Sequence, residues 1–221
     1  MKLLYTVMTG AVLVTGLASG TALAEAPADP ATVAAAKAED PGKLIQTAAE
    51  GMLKDLEANR DSYRKDPNKL NALIEKYLLP NFDSQYSARL VLGKHWRDAS
   101  EDQRKRFVDA FYHSLVKNYG SALVEFTSDR MKILPAQVDA KGETATVRTE
   151  IKRSNGATVA VSYSLRKNEA GVWKVWDVVI EGISYVKSYR EDFGAEIDQK
   201  GLDSVIQRIE KGGTPSAPGK A

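Results

Sequence analysis

The sequence contains no cysteine and only two histidines among its 221 residues. The lack of cysteine excludes disulfides, thiol nucleophiles and cysteine-based zinc sites. His95 and His113 lie on separate segments, without a second histidine at ligand spacing, so we expect structural or surface roles for them. Motifs of serine hydrolases, zinc proteases and P-loop proteins are also missing. We therefore expect neither a metal nor a cofactor.

The chain also has no large excess of positive or negative charge. The chain has 31 basic and 29 acidic residues, for a net charge of +2. These charges are interleaved, whereas a nucleic-acid-binding surface requires clustered lysines and arginines. We therefore expect no nucleic-acid partner. Hydrophobic residues make up 43% and charged residues 27% of the chain, which is typical of a globular protein.

Long hydrophobic runs are confined to the amino terminus. Lys2 precedes an apolar stretch from Leu3 to Leu17, and Ala22-Leu23-Ala24 provides the small-x-small pattern that signal peptidase recognises. The run is short for a membrane anchor, and no cysteine follows it for lipid attachment. The pattern predicts that residues 1–24 are a signal peptide cleaved before Glu25, and that the mature protein is exported and soluble.

Two further segments have little to bury. Residues 25–41 are rich in alanine, proline and charge, and residues 212–221 are rich in glycine, proline and serine. Such compositions predict a disordered leader and a disordered tail. We expect one folded domain between them, over residues 42–211.

The first half of this domain has helical periodicity. Apolar residues at steps of three and four predict a helix from Gly42. A second helix begins at Asp66-Pro67, where an acceptor cap precedes a proline, and ends at Pro80. A third runs from about Asp83 to Leu92 and stops at Gly93.

The fourth helix has the clearest signals. Ser100 and Gln103 form a capping box, and an apolar stripe from Phe107 to Phe126 continues for about six turns. Two more helical segments are predicted near the end of the domain, at about Tyr185–Gln199 and Leu202–Lys211.

After Asp129 the hydrophobic period changes to two, which predicts strands. Turns are expected at Asp139–Glu143, Ser154–Gly156 and Asn168–Gly171, and they delimit four strands. The alternation in the last strand slips near Trp176-Asp177, which indicates either a bulge or burial on both faces. The order of elements predicts an α+β fold: a helical layer packed on a curved four-stranded antiparallel meander and closed by C-terminal helices.

One enzymatic alternative remains open at this point. Cone-shaped sheets can host proton-transfer chemistry, with a buried aspartate as base and tyrosines as hydrogen-bond donors. Asp177, Tyr163 and Tyr189 are the residues that such an isomerase-type site would use. Asp177 is equally explained as a bulge residue that binds backbone amides. We favour this second interpretation and expect no enzymatic activity.

Several motifs together resemble one known family. They are Tyr77-Leu-Leu-Pro-Asn-Phe-Asp83, Ala88-Arg-Leu-Val-Leu-Gly93, Trp176-Asp-Val-Val-Ile-Glu-Gly-Ile-Ser184, and Tyr189-Arg190 followed by Phe193. In this order they resemble the MlaC family, also called the toluene-tolerance auxiliary family, over about residues 44–211.

The resemblance implies a periplasmic carrier that binds phospholipid acyl chains between helices and sheet. It also implies two partners: an outer-membrane lipoprotein complex, and an inner-membrane ABC transporter with its substrate-binding ring. Some related sequences accompany hopanoid biosynthesis, so a hopanoid or another lipid is the alternative ligand.

Apolar residues of the third and fourth helices and of the sheet are the candidate lipid contacts. They are Leu78, Phe82, Tyr86, Leu90, Phe107, Phe111, Leu115, Val147, Val161, Tyr163, Leu165 and Ile180. Lys94 and Arg97 are candidates for contacting a phosphate at the mouth of the site, although a solvated loop explains them equally well.

Overall fold

The structure is a computed structural model, and it describes residues 40–124, 130–152 and 156–213. The expected signal peptide, nearly all of the expected leader and residues 214–221 of the expected tail lie outside the described residues. So do Phe126 and the first two residues of the turn expected at 154–156.

Seven α-helices are present in the described part of the chain. They are α1 (Pro41–Lys65), α2 (Pro67–Tyr77), α3 (Ser84–Leu92), α4 (His95–Asp98), α5 (Glu101–Leu123), α6 (Tyr185–Lys200) and α7 (Leu202–Glu210), with a 3₁₀ turn at Leu79–Asn81. None of the helices in these ranges has the length and apolarity required to cross a membrane.

The predicted helix starts are confirmed by their caps. The Asp66 side chain accepts a hydrogen bond from the Asn68 amide, with Pro67 in the first turn. Ser100 and Gln103 exchange bonds between side chain and backbone at 3.1 and 2.9 Å, which is the capping box. The third helix ends at Gly93, whose φ of 54° favours glycine.

Six strands form one antiparallel sheet in the described ranges. They are β1 (Met131–Ile133), β2 (Gln137–Val138), β3 (Thr144–Lys152), β4 (Thr158–Lys167), β5 (Trp173–Ile180) and β6 (Ile183–Ser184). The order is β1-β3-β4-β5-β6, and β2 also pairs with β3. The predicted count of four strands is therefore corrected to six, because β2 and β6, at two residues each, are too short to show an alternating pattern.

The slip in β5 is a bulge. Ser164 pairs with Asp177 and Leu165 pairs with Val175, so Trp176 has no partner on β4. Beyond this extra residue the alternation of β5 changes parity. Val178 and Ile180 therefore face the same side as Val175, and Asp177 faces the opposite side.

Four clusters of buried apolar residues form the interior of the described part of the chain. One lies between α1 and the sheet, where Leu44 and Ile45 pack on Val147, Leu165 and Trp173. A second lies at the neighbouring end of the sheet around Ile151, and a third joins α1, α2 and α5. The fourth, the helical core, lies among the helices α3, α5, α6 and α7. The C-terminal helices pack mainly on α3 and α5, and α6 also contacts β5.

Candidate apolar binding cavity

A cavity of about 160 Å³ lies between α1, the 3₁₀ turn and the inner face of the sheet. Its walls come from four parts of the chain: α1, the 3₁₀ turn with its flanks, the end of α5, and strands of the sheet. The lining residues are Ile45, Ala48, Ala49, Met52, Leu53, Leu78, Asn81, Phe82, Leu123, Met131, Ile151, Tyr163, Val175 and Val178.

Two features of the sequence create this space. On α1, Ala48 and Ala49 carry only a methyl group where the helix passes over the sheet, so the gap is not filled. On β5, the bulge at Trp176 brings Val178 onto the same face as Val175. The small residues of α1 and the apolar residues of β5 therefore leave a cavity with apolar walls.

The chemistry of the walls suits hydrocarbon. None of the described lining residues carries a charge, and the polar side chains among them are Asn81 and Tyr163. The Asn81 amide donates to the carbonyl oxygen of Tyr77 at 2.9 Å. Burial raises the pKa of Tyr163, although a hydrogen bond with Thr149 opposes the shift, so its hydroxyl stays protonated at neutral pH. A charged group inside this cavity would have no ionic partner and would pay the full desolvation cost.

The volume limits what fits. A cavity of about 150 Å³ accommodates a molecule the size of benzene. At about 160 Å³, this one has room for a segment of one acyl chain, and two complete chains require the walls to move apart.

A larger depression of about 380 Å³ lies between α5 and α7. It is open to solvent and lined mainly by polar and charged residues, and Arg106 is bound there to Glu210 at 2.8 and 2.9 Å. Because its walls are charged and Arg106 already pairs with Glu210, the smaller apolar cavity is the better candidate site.

The structure brings some of the predicted contact residues to the cavity. Leu78, Phe82 and Tyr163 line it. Val147 and Leu165 lie on the same face of the sheet, under the start of α1. Val161 and Ile180 pack with Ile151, Val159 and Met131 at the neighbouring end of the sheet.

Other predicted contact residues lie elsewhere. Phe107, Phe111, Leu90 and Leu115 belong to the helical core, where Phe107 stands 5.4 Å from Phe193 between ring centres. The Tyr86 ring contacts the guanidinium groups of Arg166 and Arg89, at 4.0 and 5.0 Å from its centre, and it makes a T-shaped contact with Trp176. These residues do not line the cavity, because the stripe on α5 that carries Phe107 and Phe111 faces α6 rather than the sheet.

The sequence interpretation missed the contribution of α1. Five of its residues line the cavity, namely Ile45, Ala48, Ala49, Met52 and Leu53. The available signal was the pair of alanines within an otherwise large-residue stripe, because small residues on a buried face leave space.

Lys94, one of the two basic residues predicted to contact a phosphate, has a local role. The Lys94 ammonium is 2.9 Å from Asp198 on α6, and His95 Nε2 is 3.4 Å from the same carboxylate. Lys94 therefore joins α6 to the loop before α4. Across the described ranges, no group of histidines and acidic residues could hold a metal ion.

Asp177 has the structural role that the bulge interpretation predicted. Its buried carboxylate accepts hydrogen bonds from the Val186 amide at 3.0 Å and the Ser184 hydroxyl at 2.6 Å. Because its partner Ser164 directly follows Tyr163 on β4, Asp177 and Tyr163 face opposite sides of the sheet. Tyr189 packs in the helical core. The three residues of the enzymatic alternative do not converge.

Fold and cavity together define a class, α+β domains in which helices and an antiparallel sheet enclose an apolar cavity. Comparison with known families narrows this class. Residues 46–211 match the model of the MlaC protein family, and the chain belongs to this family. The predicted resemblance is thereby confirmed.

Three relatives illustrate the match. The toluene tolerance protein ttg2D of Pseudomonas putida is 32% identical over 167 residues, covering 75% of this chain and 77% of that protein. The intermembrane phospholipid transport system binding protein MlaC of Haemophilus influenzae is 27% identical over 173 residues, covering 77% and 81%. A phospholipid-binding protein from Ralstonia solanacearum, solved in complex with a phospholipid, superposes with a TM-score of 0.70 at 23% identity, covering 78% of this chain and 96% of that chain. This last likeness supports the fold.

Proposed function

We propose that this protein is a periplasmic phospholipid carrier, which holds acyl chains in the cavity beneath α1 and leaves the head group near the surface. The observation that carries the proposal is the cavity itself, whose lining residues are apolar with two uncharged polar exceptions. Family membership and the names of the relatives support the same ligand. The proposal includes export, with cleavage of residues 1–24.

The energetics suit a carrier that transfers its cargo on contact. Burial of a methylene is worth about 0.8 kcal/mol, so two chains of about sixteen carbons have a gross driving force of roughly 25 kcal/mol. Binding costs reduce the net affinity considerably. Escape into water should still be slow, which favours direct transfer to a docked partner.

The partners follow from this mode of transfer. We propose that the protein exchanges lipid with an outer-membrane lipoprotein complex on one side. On the other side it exchanges lipid with an inner-membrane ABC transporter and its substrate-binding ring. The name of the Haemophilus influenzae relative, which refers to an intermembrane transport system, supports this arrangement.

The test is to identify what the protein carries. We expect organic extraction of protein purified from a bacterial periplasm, followed by mass spectrometry, to yield about one diacyl phospholipid per chain. The mature amino terminus should be Glu25. Stoichiometric hopanoid would establish the alternative ligand instead. A protein without lipid, which also takes up none from vesicles, would refute the carrier function.

A further inference from the structure

We infer that the first part of α1, from Pro41 to Ala58, is a hinged lid over the cavity, with its pivot at Asn59. The inference rests on the proposed function and concerns how lipid gains access. All five cavity-lining residues of α1 come before Asn59, from Ile45 to Leu53. The whole helical wall of the cavity is therefore on one side of the pivot.

The pivot is a break in the helix. Asn59 has φ −129° and ψ 18°, outside the helical range, within a helix that otherwise runs from Pro41 to Lys65. Its side-chain amide donates to the Asp55 carbonyl at 3.2 Å and to the Asp55 carboxylate at 3.0 Å. The break is thus stabilised by side-chain bonds, and hinges are positions that absorb such backbone changes.

Near the pivot, Asp55 links the lid both to the part of α1 beyond the break and to α2. Its carboxylate accepts a hydrogen bond from the Tyr63 hydroxyl of α1 at 2.7 Å and one from the Tyr77 hydroxyl of α2 at 3.4 Å. Asp55 is one turn from Asn59, whereas Gly42 is about 25 Å away at 1.5 Å per residue. A rotation at Asn59 therefore moves the start of α1 by several times the displacement of Asp55, and the bonds to Asp55 can persist.

The far end of the lid is held by apolar contact. Leu44 and Ile45 pack on the sheet core, and Gly42 lies beside Ala136. Over the described ranges, the hydrogen bonds of residues 41–54 stay within α1 or go to its cap, Asp40, and none reaches the sheet. Apolar contacts are non-directional, so they can separate and re-form without leaving unpaired donors.

The other principal walls are fastened by hydrogen bonds. The strands are joined by their ladders. Beside the 3₁₀ turn, the Asp83 amide donates to Val175 at 2.7 Å, and the Lys174 ammonium donates to the Pro80 carbonyl. The cavity as it stands has room for only part of a lipid, so a wall must move. Residues 41–54 of the lid form a wall that can move without breaking hydrogen bonds to the sheet.

The cysteine-free chain permits a direct test. A Cβ placed on Gly42 would be 3.6 Å from the Cβ of Ala136, within the range of a disulfide. We would combine Gly42→Cys with Ala136→Cys and follow uptake of a pyrene-labelled phospholipid from phosphatidylglycerol vesicles. The control carries Gly42→Ser and Ala136→Ser.

The oxidised cysteine variant should take up lipid at least about tenfold more slowly than its reduced form, because the open state is removed from the equilibrium. The reduced form and the serine control should match the wild type. Equal rates for a fully oxidised and a reduced sample would overturn the lid. Failure of the wild type to take up lipid would overturn the proposed function, and the lid with it.

A second measurement does not depend on the disulfide. A spin-label pair on Lys43→Cys and Lys141→Cys measures the distance from the lid to the turn between β2 and β3. A second pair, on Lys141→Cys and Lys152→Cys, spans that turn and the end of β3 and does not include the lid. With phosphatidylglycerol bound, electron–electron distance measurements should show a longer distance for the first pair and no change for the second. An unchanged first distance in the loaded protein would overturn the lid.

Discussion

Trp176, the extra residue of the bulge, decides which side chains of β5 face the cavity. If Trp176 were paired in register and β5 had no bulge, strict alternation would direct Asp177 towards the apolar walls in place of Val178. A carboxylate there would lack an ionic partner, at a cost of several kcal/mol. The bulge instead sends Asp177 to the opposite face, where Ser184 and Val186 at the start of α6 bind it.

Replacement of Asp177 by alanine should therefore affect stability and not lipid content. The Val186 amide and the Ser184 hydroxyl would lose their acceptor, so we expect Asp177→Ala to lower the free energy of unfolding by about 2–3 kcal/mol. Ser184→Ala, which removes one of these bonds and the cap of α6, should cost about 1 kcal/mol. Denaturant unfolding and lipid extraction measure the two effects.

The opposite result would revive the enzymatic alternative. If Asp177→Ala kept its stability and its lipid but lost activity in transport, the carboxylate would have a chemical role that its hydrogen bonds do not explain. Tyr163→Phe is the variant to compare with Asp177→Ala, because Tyr163 lies on the cavity face of the sheet and Asp177 lies on the opposite face.

The sequence around Trp176 shows how far pattern reasoning reaches at this scale. The slip in alternation is visible in the letters, because two large residues of unlike polarity break the period. The choice between a bulge and a doubly buried strand depends on the pairing with Ser164 and Leu165. That pairing is set by a different strand, so the local sequence leaves both options open.

Among the elements, those with local signals are the ones that the sequence predicts. The capping box at Ser100 and the Asp66-Pro67 start depend on residues within one helical turn, and both are found. The strands β2 and β6 depend on their neighbours in the sheet. Two residues carry no period, so their pairing could not be predicted from the local pattern.

Helix α5 shows the same limit for packing. Its residues Phe107 and Phe111 pack with Tyr189 and Phe193 of α6, while Val116 packs with α1 and α2. Periodicity indicates which residues point inward, but not which element they meet. For this reason the lipid contacts predicted on α5 lie in the helical core, and those predicted around the 3₁₀ turn lie at the cavity.

The attachment of α7 to α6 gives a prediction that depends on pH. Arg208 donates to both carboxylate oxygens of Glu196, at 2.9 and 2.6 Å. This hydrogen bonding holds the pKa of Glu196 below its ordinary value of 4.5. The pair is partly exposed and should contribute of the order of 1 kcal/mol at neutral pH.

The direction of this pH dependence follows from the lowered pKa of Glu196. The contribution is present above the ordinary pKa and is lost as pH falls through the lower pKa of the folded state. Glu196→Gln should therefore unfold at a lower temperature than the wild type at pH 7, and the difference should shrink towards pH 3. Thermal unfolding at both pH values measures it. A difference that stays constant with pH would contradict the assigned role of the ion pair.

On the scale of the whole molecule, the helical core and the core beneath α1 differ in how completely they are filled. The helical core is closed, with its aromatic rings in mutual contact. The core beneath α1 contains the cavity. Side chains that line an empty cavity lack van der Waals contacts that a bound ligand can supply. The empty protein should therefore be less stable than the loaded one. Phospholipid at one hundred times its dissociation constant should add about 2.7 kcal/mol to the apparent stability.

Two matched substitutions separate a binding cavity from an ordinary packing defect. Ala49 lines the cavity, whereas Ala88 is fully buried in the helical core. In the delipidated protein, Ala49→Leu should keep or raise the unfolding temperature because the new side chain fills empty space. Ala88→Leu should lower stability by about 1–3 kcal/mol through overpacking.

The response to added phospholipid distinguishes the two sites. Ala88→Leu should gain as much stability from phospholipid as the wild type does, but Ala49→Leu should gain less stability and carry less lipid. If Ala49→Leu gained stability from phospholipid as the wild type does, the acyl chains would have to bind elsewhere, because the same space cannot hold both the leucine and the ligand.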